Sequence, residues 1–180
     1  MKHDNPDIII DQIIDRVGKN LVVGTPLGLG KPNHLLNALY NRAKITPDLD
    51  LKIFTALTLD KPKGKSLLEK RFLEPMAERI FGDYPDLDYE QDRQAGTLPA
   101  NVEVVEFYFP AGRLLHNDYA QQNYISSNYT HVARDMMDAG ANVLLQMVSR
   151  GTFEGRECYS RSNPDVTLDL IRLLQERYSD

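Results

Sequence analysis

The chain holds a single cysteine, Cys158, in 180 residues. One thiol cannot close an internal disulfide and cannot build a metal site alone, so neither staple is expected to hold the fold. Long apolar runs are missing too. The longest, around Asn142–Val148, falls far short of the ~18 residues that cross a bilayer. No block of five or more like charges occurs, and the net charge is −5. A nucleic-acid or anionic-membrane surface wants a basic patch, so neither partner is expected. The stretch Met1–Asp7 is polar and acidic, without the basic and apolar regions of a secretory signal. No internal repeat or low-complexity tract is present. Together these absences predict a soluble protein in a reducing, cytoplasmic compartment. Against them stand 42% hydrophobic and 26% charged residues. Those are ordinary globular values, and the length suits one domain over residues 1–180.

Hydrophobic spacing gives the order of elements. Ile8, Ile9, Ile13, Ile14 and Val17 predict an amphipathic helix that Gly18 ends. Leu21-Val22-Val23 reads as a strand running into a glycine-rich turn, Gly24 to Gly30. Pro32 should then open a helix at its first position, with Leu35, Leu36, Leu39 and Ala43 on one face and Pro47 as the stop. Leu49–Leu59 reads as a second strand. Strand, helix, strand is the signature of a βαβ unit, hence an α/β fold with a mostly parallel sheet and helices on both faces. Leu67 to Phe81 carries a helical stripe with Pro75 inside, which predicts a kink near Arg71–Glu74. The acidic stretch Gly82–Ala100 reads as a surface excursion with one short helix near Tyr89–Gln94. Val102–Phe109 is a third strand. A helix is expected over Asn128–Ala139, capped by Ser127, with Tyr129, Val132, Ala133, Met136 and Met137 buried. Asn142–Val148 follows as a strand covered on both faces, then a short strand at Glu157–Ser160. Asn163-Pro164-Asp165 looks like the cap of a last helix carrying Val166, Leu170, Leu173 and Leu174.

Two segments carry candidate chemistry. Gly24-Thr25-Pro26-Leu27-Gly28-Leu29-Gly30-Lys31-Pro32 joins a strand to a helix. Its glycines let backbone amides approach a ligand, and the helix start favours an anion. It is not a Walker A loop, which would need glycine at Thr25 and Ser or Thr at Pro32. It is a poor dinucleotide loop, because Asn33 stands where the third glycine belongs. A tight turn without a ligand remains the plain alternative. The second segment, Tyr119–Tyr129, crowds amides and hydroxyls: Gln121, Gln122, Asn123, Ser126, Ser127 and Asn128. These could bond a carboxylate or a thioester oxygen, or only their own loop. His34 reads as a partly exposed polar residue. His131 and Asp135 lie four apart on a helix, but two ligands are too few for a metal. Cys158 has no activating partner in view and reads as structural. The carboxylates look scattered over helix surfaces, with no acid–base pair among them.

Taken together, these motifs resemble the bacterial acetyl-CoA hydrolase/transferase family. The resemblance rests on Gly24 to Asn33, Phe54-Thr55-Ala56-Leu57, Leu68 to Pro75, Phe81 to Tyr89 and Leu98 to Val104. It continues through its longest match, Ala120-Gln121-Gln122-Asn123-Tyr124-Ile125-Ser126-Ser127-Asn128-Tyr129-Thr130-His131-Val132-Ala133-Arg134-Asp135, and closes on Ser162 to Leu170. Nearly the whole chain is covered, in one order.

The resemblance implies a CoA-transferase-like fold of two related α/β domains, of which this chain is the N-terminal one. It implies a substrate, acyl-CoA, and a small carboxylate acceptor or water, with no tightly bound cofactor and no metal. In the family a glutamate attacks the thioester, and an acyl-glutamyl anhydride and then a glutamyl-CoA thioester form. This is covalent catalysis. That glutamate lies in the second domain, so none here is expected to be catalytic and the chain alone is expected to be inactive. The C-terminal catalytic domain is then the expected partner, and homo-oligomer formation stays open. By the same resemblance the substrate-binding candidates are Gly24, Thr25, Pro26, Leu27, Gly28, Gly30 and Lys31, which face the acyl group. The polar residues Gln121, Gln122, Ser126, Ser127 and Asn128 join them. An exposed apolar surface is expected where the second domain packs. Two rivals stand beside this reading: a stand-alone, non-catalytic domain that binds acyl-CoA or a protein, and a sugar-phosphate isomerase-like enzyme. The latter lacks a matching set of basic and carboxylate residues.

Overall fold

The computed structural model describes residues 5–160 and 165–178. Asn5 caps α1 (Pro6–Val17) by accepting from the Asp7 amide at 2.9 Å, and Gly18 ends the helix at φ +90°. β1 (Asn20–Gly24) leads through a single 3-10 turn (Gly28–Gly30) into α2 (Asn33–Ile45), and β2 (Asp50–Thr55) follows. After α3 (Leu67–Phe81) and α4 (Asp88–Ala95) the chain enters β3 (Val102–Glu106). Then come α5 (Asp118–Gln122), α6 (Val132–Asp138) and β4 (Val143–Leu144). A hairpin of β5 (Ser149–Phe153) and β6 (Arg156–Ser160) precedes α7 (Thr167–Tyr178).

β1 to β4 form one parallel sheet in the order β3-β2-β1-β4. Alternation along each strand divides its side chains between two cores. Leu21, Val23, Leu51, Ile53, Val102 and Val104 pack under α1, α2 and α4. Val22, Phe54 and Val105 pack with Met136 of α6 and Leu170 of α7. The protein is therefore α/β with helices on both faces, and burial on both faces is why the strands read as continuous apolar runs. The winding runs β1, β2, β3 in one direction and then returns to place β4 on the far side of β1. That reversal sets a switch point at the carboxyl ends of β1 and β4. Among the described residues no helix is long and apolar enough to cross a membrane.

Several expectations are corrected. β2 stops at Thr55, because Leu57 takes φ +48° and the chain leaves the sheet. β4 is two residues long, since its neighbour β1 ends at Gly24; Leu145 and Met147 instead bond to the Gly24 and Gly30 carbonyls at 3.1 and 2.9 Å. Pro32 sits just before α2 rather than at its first position. α3 runs unbroken from Leu67 to Phe81 through Pro75, held at its start by a reciprocal Ser66–Glu69 capping box. α6 begins only at Val132: Asn128 starts a turn, Ser127 donates to Asp135 at 2.5 Å instead of capping, and Tyr129 is exposed. The stretch Gly82–Ala100 is no mere excursion, for α4 buries Tyr89, Glu90 and Arg93. β5 and α5 were not foreseen. Asn163 and Pro164 of the proposed last cap lie outside the described residues.

Gly24 is the tightest joint between sheet and helices. A Cβ there would meet Leu170 Cδ2 at 2.7 Å and Met136 Sδ at 3.3 Å. Its φ is unstrained, so only packing penalises a side chain. Gly24→Ala is expected to destabilise the chain by ~1–2 kcal/mol through overpacking, measured by urea unfolding. A change within about 0.5 kcal/mol, the range of neutral surface changes, would show that α6 and α7 yield freely there.

Candidate functional site

The glycine loop leaves β1 at the carboxyl edge, and its first residues are tied to β2. Thr25 donates from its amide to the Phe54 carbonyl at 3.1 Å, and its hydroxyl donates to Thr55 Oγ1 at 2.8 Å. Gly28 then takes φ +53°, which starts the 3-10 turn. The space beside the other two glycines is filled by the chain itself. A Cβ on Gly30 would meet Pro26 Cγ at 2.9 Å and Gln146 Nε2 at 3.2 Å, much as Leu170 fills the space at Gly24. Several loop and helix-start amides are also engaged. Leu27 N–H donates to Asp165 Oδ2 at 2.5 Å, and Asn33 N–H to the Tyr84 hydroxyl at 3.1 Å. The Tyr84 hydroxyl in turn donates to the Lys31 carbonyl.

Lys31 closes the loop from below. It is 1% exposed, and its Nζ donates to the Ala56 carbonyl at 2.5 Å and the Leu57 carbonyl at 3.3 Å. Burial pulls its pKa down to about 7, against the opposing pull of Glu106 and Asp165. Next to it lies a buried polar cluster that sequence reading missed. Glu106, at the end of β3, accepts from Thr58 N–H at 3.1 Å, from Thr58 Oγ1 at 2.6 Å and from Arg93 Nη1 at 2.5 Å. Arg93 also meets Glu90, which accepts from Gln94 Nε2 at 2.7 Å. The Tyr89 hydroxyl lies 3.0 Å from Thr58 Oγ1. Burial raises the Glu90 carboxyl, with Arg93 opposing. The signal was available: alternation along β3 places Glu106 on the same face as Val102 and Val104, and an acid on a buried strand face demands a partner.

The second polar segment joins the sheet beyond β3. Tyr124 bridges Glu106 in parallel, and Ile125 N–H donates to the Glu106 carbonyl at 3.0 Å. Residues after Tyr124 therefore travel toward the same edge as the glycine loop. Ser126, Ser127 and Asn128 emerge there, with Tyr129 stacked edge-on to Phe107 at 6.3 Å. Gln121 and Gln122 precede the bridge and are exposed on α5, whose Tyr119 reaches back to donate to no edge group but to accept from Val104 N–H at 2.9 Å. Strand spacing puts the Tyr124 bridge ~14 Å from β1, three strands away. The two segments thus share one edge, with Ala56–Thr58 and Phe107 between them.

This edge is open. The hollow beside Gly28, Lys31, Asn33 and Tyr84 measures about 20 Å³, room for a single water. A larger hollow of about 530 Å³, lined by Arg16, Val17, Asn142, Leu174 and Tyr178, includes the residue just before β4 and so lies toward the opposite edge. Exposed apolar side chains rim the carboxyl edge instead: Leu29, Tyr108, Tyr129, Met147 and Val148. Elsewhere, His34 is exposed on α2 with its ring 5.4 Å from Tyr84, and Asp135 is engaged by Ser127 and Arg134. Among the described residues no group of three metal-ligating side chains occurs. No family model, curated protein or solved structure matches the chain.

Two outcomes follow from the buried cluster. Arg93→Met strands Glu106 without its cation, leaves Glu90 only Arg113 Nε at 3.7 Å, and is expected to cost about 3–5 kcal/mol in urea unfolding; adding Glu106→Gln should recover part of the loss. A cost below about 1 kcal/mol would show that the guanidinium is replaceable. For Lys31 the sign is that of a depressed base. The unfolded state holds the proton up to the ordinary lysine value of 10.5, whereas the folded state releases it near 7. Stability relative to Lys31→Met should therefore rise with pH by about 1 kcal/mol per unit between roughly pH 8 and 9.5. A flat difference over that window means that Lys31 titrates near its ordinary value.

Proposed function

We propose that the chain forms the N-terminal domain of an acyl-CoA:carboxylate CoA-transferase or acetyl-CoA hydrolase. Its carboxyl edge then lines the acyl and carboxylate side of the active-site cleft. The resemblance of the motifs supplies the family. The observation that carries the geometric argument is the open carboxyl edge, where exposed apolar side chains flank both the glycine loop and Ser126–Asn128, and the hollow beside the glycine loop is no larger than one water. Such an edge makes one wall of a cleft. A second wall is needed to exclude water, and the apolar rim is what would pack against it.

The chemistry of the edge fits an acceptor of negative charge. Backbone and hydroxyl donors from the two segments would stabilise a carboxylate or the oxyanion of an attacked thioester. Leu27 N–H already serves a carboxylate, that of Asp165, so a substrate oxygen would compete for a donor whose preference for such a group is visible. The buried acids nearest the edge are committed to structure. Glu106 spends its oxygens on Thr58 and Arg93, and Glu90 meets Arg93 and Gln94. A nucleophilic glutamate would come from the second domain, in line with the resemblance. On this reading acyl-CoA is a substrate, no cofactor is held, and the protein is cytoplasmic.

Two measurements test this. The purified chain, given acetyl-CoA with acetate, propionate or succinate, is expected to show no turnover; a rate of about 1 per second or faster, normal for an enzyme, would overturn the division of labour. Amide resonances of Leu27, Gly28, Ser126 and Ser127 should shift on titration with millimolar acetate or acetyl-CoA. Shifts confined to the opposite edge, near Asn142 and Tyr178, or no shifts at all, would sink the placement of the site.

A further inference from the structure

α3 lies apart from the two cores. Ala77 is its one buried residue, while Leu68, Phe72 and Ile80 are 78%, 71% and 63% exposed. This is unusual for a helix whose apolar residues recur at helical spacing. The apolar residues Leu68, Phe72, Met76 and Ile80 recur every four residues along a slowly turning stripe, with Leu68 and Phe72 turned away from Ala77 and Ile80 nearest to it. Within that stripe Glu69, Phe72, Met76 and Arg79 follow one another at three, four and three residues, which is the spacing of a coiled-coil seam. Leu73 and Ile80 flank the seam on one side, Leu68 and Pro75 on the other.

The order of these residues is its own complement when reversed. If two copies of α3 are laid antiparallel with their midpoints at Glu74, Phe72 stands level with Met76 of the other helix. Glu69 then stands level with Arg79, at both ends of the pairing. Each layer of the seam thus meets an apolar residue with an apolar one, or an acid with a base. Glu74 itself lies half a turn away from the seam, so the two copies of this acid stay apart. A parallel pairing would instead set Glu69 against Glu69 and Arg79 against Arg79, which repel. The capping box engages Glu69 Oε2 with the Lys65 and Ser66 amides, which fixes this carboxylate at the helix start and leaves its charge in place. Arg79 is exposed near the other end.

We propose that α3 is a self-association surface, and that the occupant of its apolar face is the α3 helix of a second copy of this chain. The copies pair antiparallel about a two-fold axis near Glu74, with Glu69–Arg79 pairs closing both ends. The interface is isologous, as a two-fold dimer requires. It is one helix per side, at the small end of specific interfaces, so the dimer is weak and concentration-dependent. The end of α3 at Phe81 borders the hollow beside the glycine loop, but the seam residues Glu69, Phe72, Met76 and Arg79 do not line it, and the pairing does not depend on the function proposed above.

Sedimentation equilibrium of the 180-residue chain, from about 5 to 500 µM, tests it. The wild-type chain should pass from monomer to dimer across the range. Phe72→Glu should weaken association at least tenfold with the circular dichroism of the monomer unchanged. The decisive arm exchanges charges. Arg79→Glu alone sets acid against acid in both end layers, and Glu69→Arg alone sets base against base, so each should weaken the dimer. Mixed one to one, the two variants regain complementary layers and should form a heterodimer at wild-type strength. A chain that stays monomeric at the highest concentration overturns the proposal, even if α3 is later found covered by another domain. So does a dimer indifferent to Phe72→Glu. A mixture no tighter than either variant alone overturns the antiparallel register.

Discussion

The buried pairing of Arg93 with Glu106 is the constraint on which the rest of the carboxyl edge depends. Taking a guanidinium and a carboxylate out of water costs several kcal/mol per ion unless both are fully engaged. Glu106 meets that demand with three donors, from Thr58 N–H, Thr58 Oγ1 and Arg93. The consequence is positional. Arg93 holds α4 onto the end of β3, and Thr58 is held at a fixed distance beyond the end of β2. With Thr58 fixed, the preceding carbonyls of Ala56 and Leu57 point at Lys31, and Lys31 fixes the far end of the glycine loop. A chain of polar contacts therefore runs from α4 through β3 and β2 to the loop after β1. The links to Thr58 N–H and to the Ala56 and Leu57 carbonyls satisfy backbone groups where β2 stops, which apolar side chains could not do.

This dependence explains what the sequence made legible. Elements set by hydrophobic period were readable: α1 from Ile9, Ile13 and Val17, α2 from Leu36, Leu39 and Ala43, α7 from Leu170 and Leu174, and the parallel order of β1 to β3 from their apolar runs. The ends of elements were not, because tertiary bonds decide them. β2 could not be stopped at Thr55 without knowing that Lys31 takes the next two carbonyls. β4 could not be cut to Val143–Leu144 without knowing that β1 turns away at Gly24. α4 was placed near Tyr89–Gln94, but its burial was not legible, because Tyr89-Glu90-Gln91-Asp92-Arg93 carries charges that look solvated, whereas Arg93 pairs with both Glu90 and Glu106 in the interior. The hairpin left a fainter trace. Glu154 and Gly155 both take positive φ, the pairing that tight two-residue turns require, but Glu-Gly is a weaker signal than Asn-Gly.

The loop itself was located correctly and explained incompletely. Strand, glycines and helix start sufficed to place Gly24–Lys31 at the carboxyl edge. The purpose first given to the glycines, close approach to a ligand, holds for none of the three without qualification by the packing. Gly24 makes room for Leu170, Gly30 for Pro26 and Gln146, and Gly28 supplies a positive φ. A pattern of glycines states that something comes close; it does not state whether that neighbour is a ligand or another part of the chain.

That distinction bears on how an edge of this kind can act. Donors already engaged by Asp165 and Tyr84 are oriented before any ligand arrives, so a ligand oxygen that displaces Asp165 meets an amide that needs no reorganisation. The gain is small while the edge remains open, because water competes for the same donor at high dielectric. It grows once a second surface covers Leu29, Tyr108, Tyr129, Met147 and Val148, since each electrostatic contact strengthens as water is excluded. On the function proposed above, the apolar rim and the polar donors would be parts of one device: the rim would recruit the covering surface, and the cover would give the donors their strength. On the same proposal, Lys31, Arg93 and Glu106 supply the preorganisation through their internal contacts, and desolvation would fall to the surface that covers the edge.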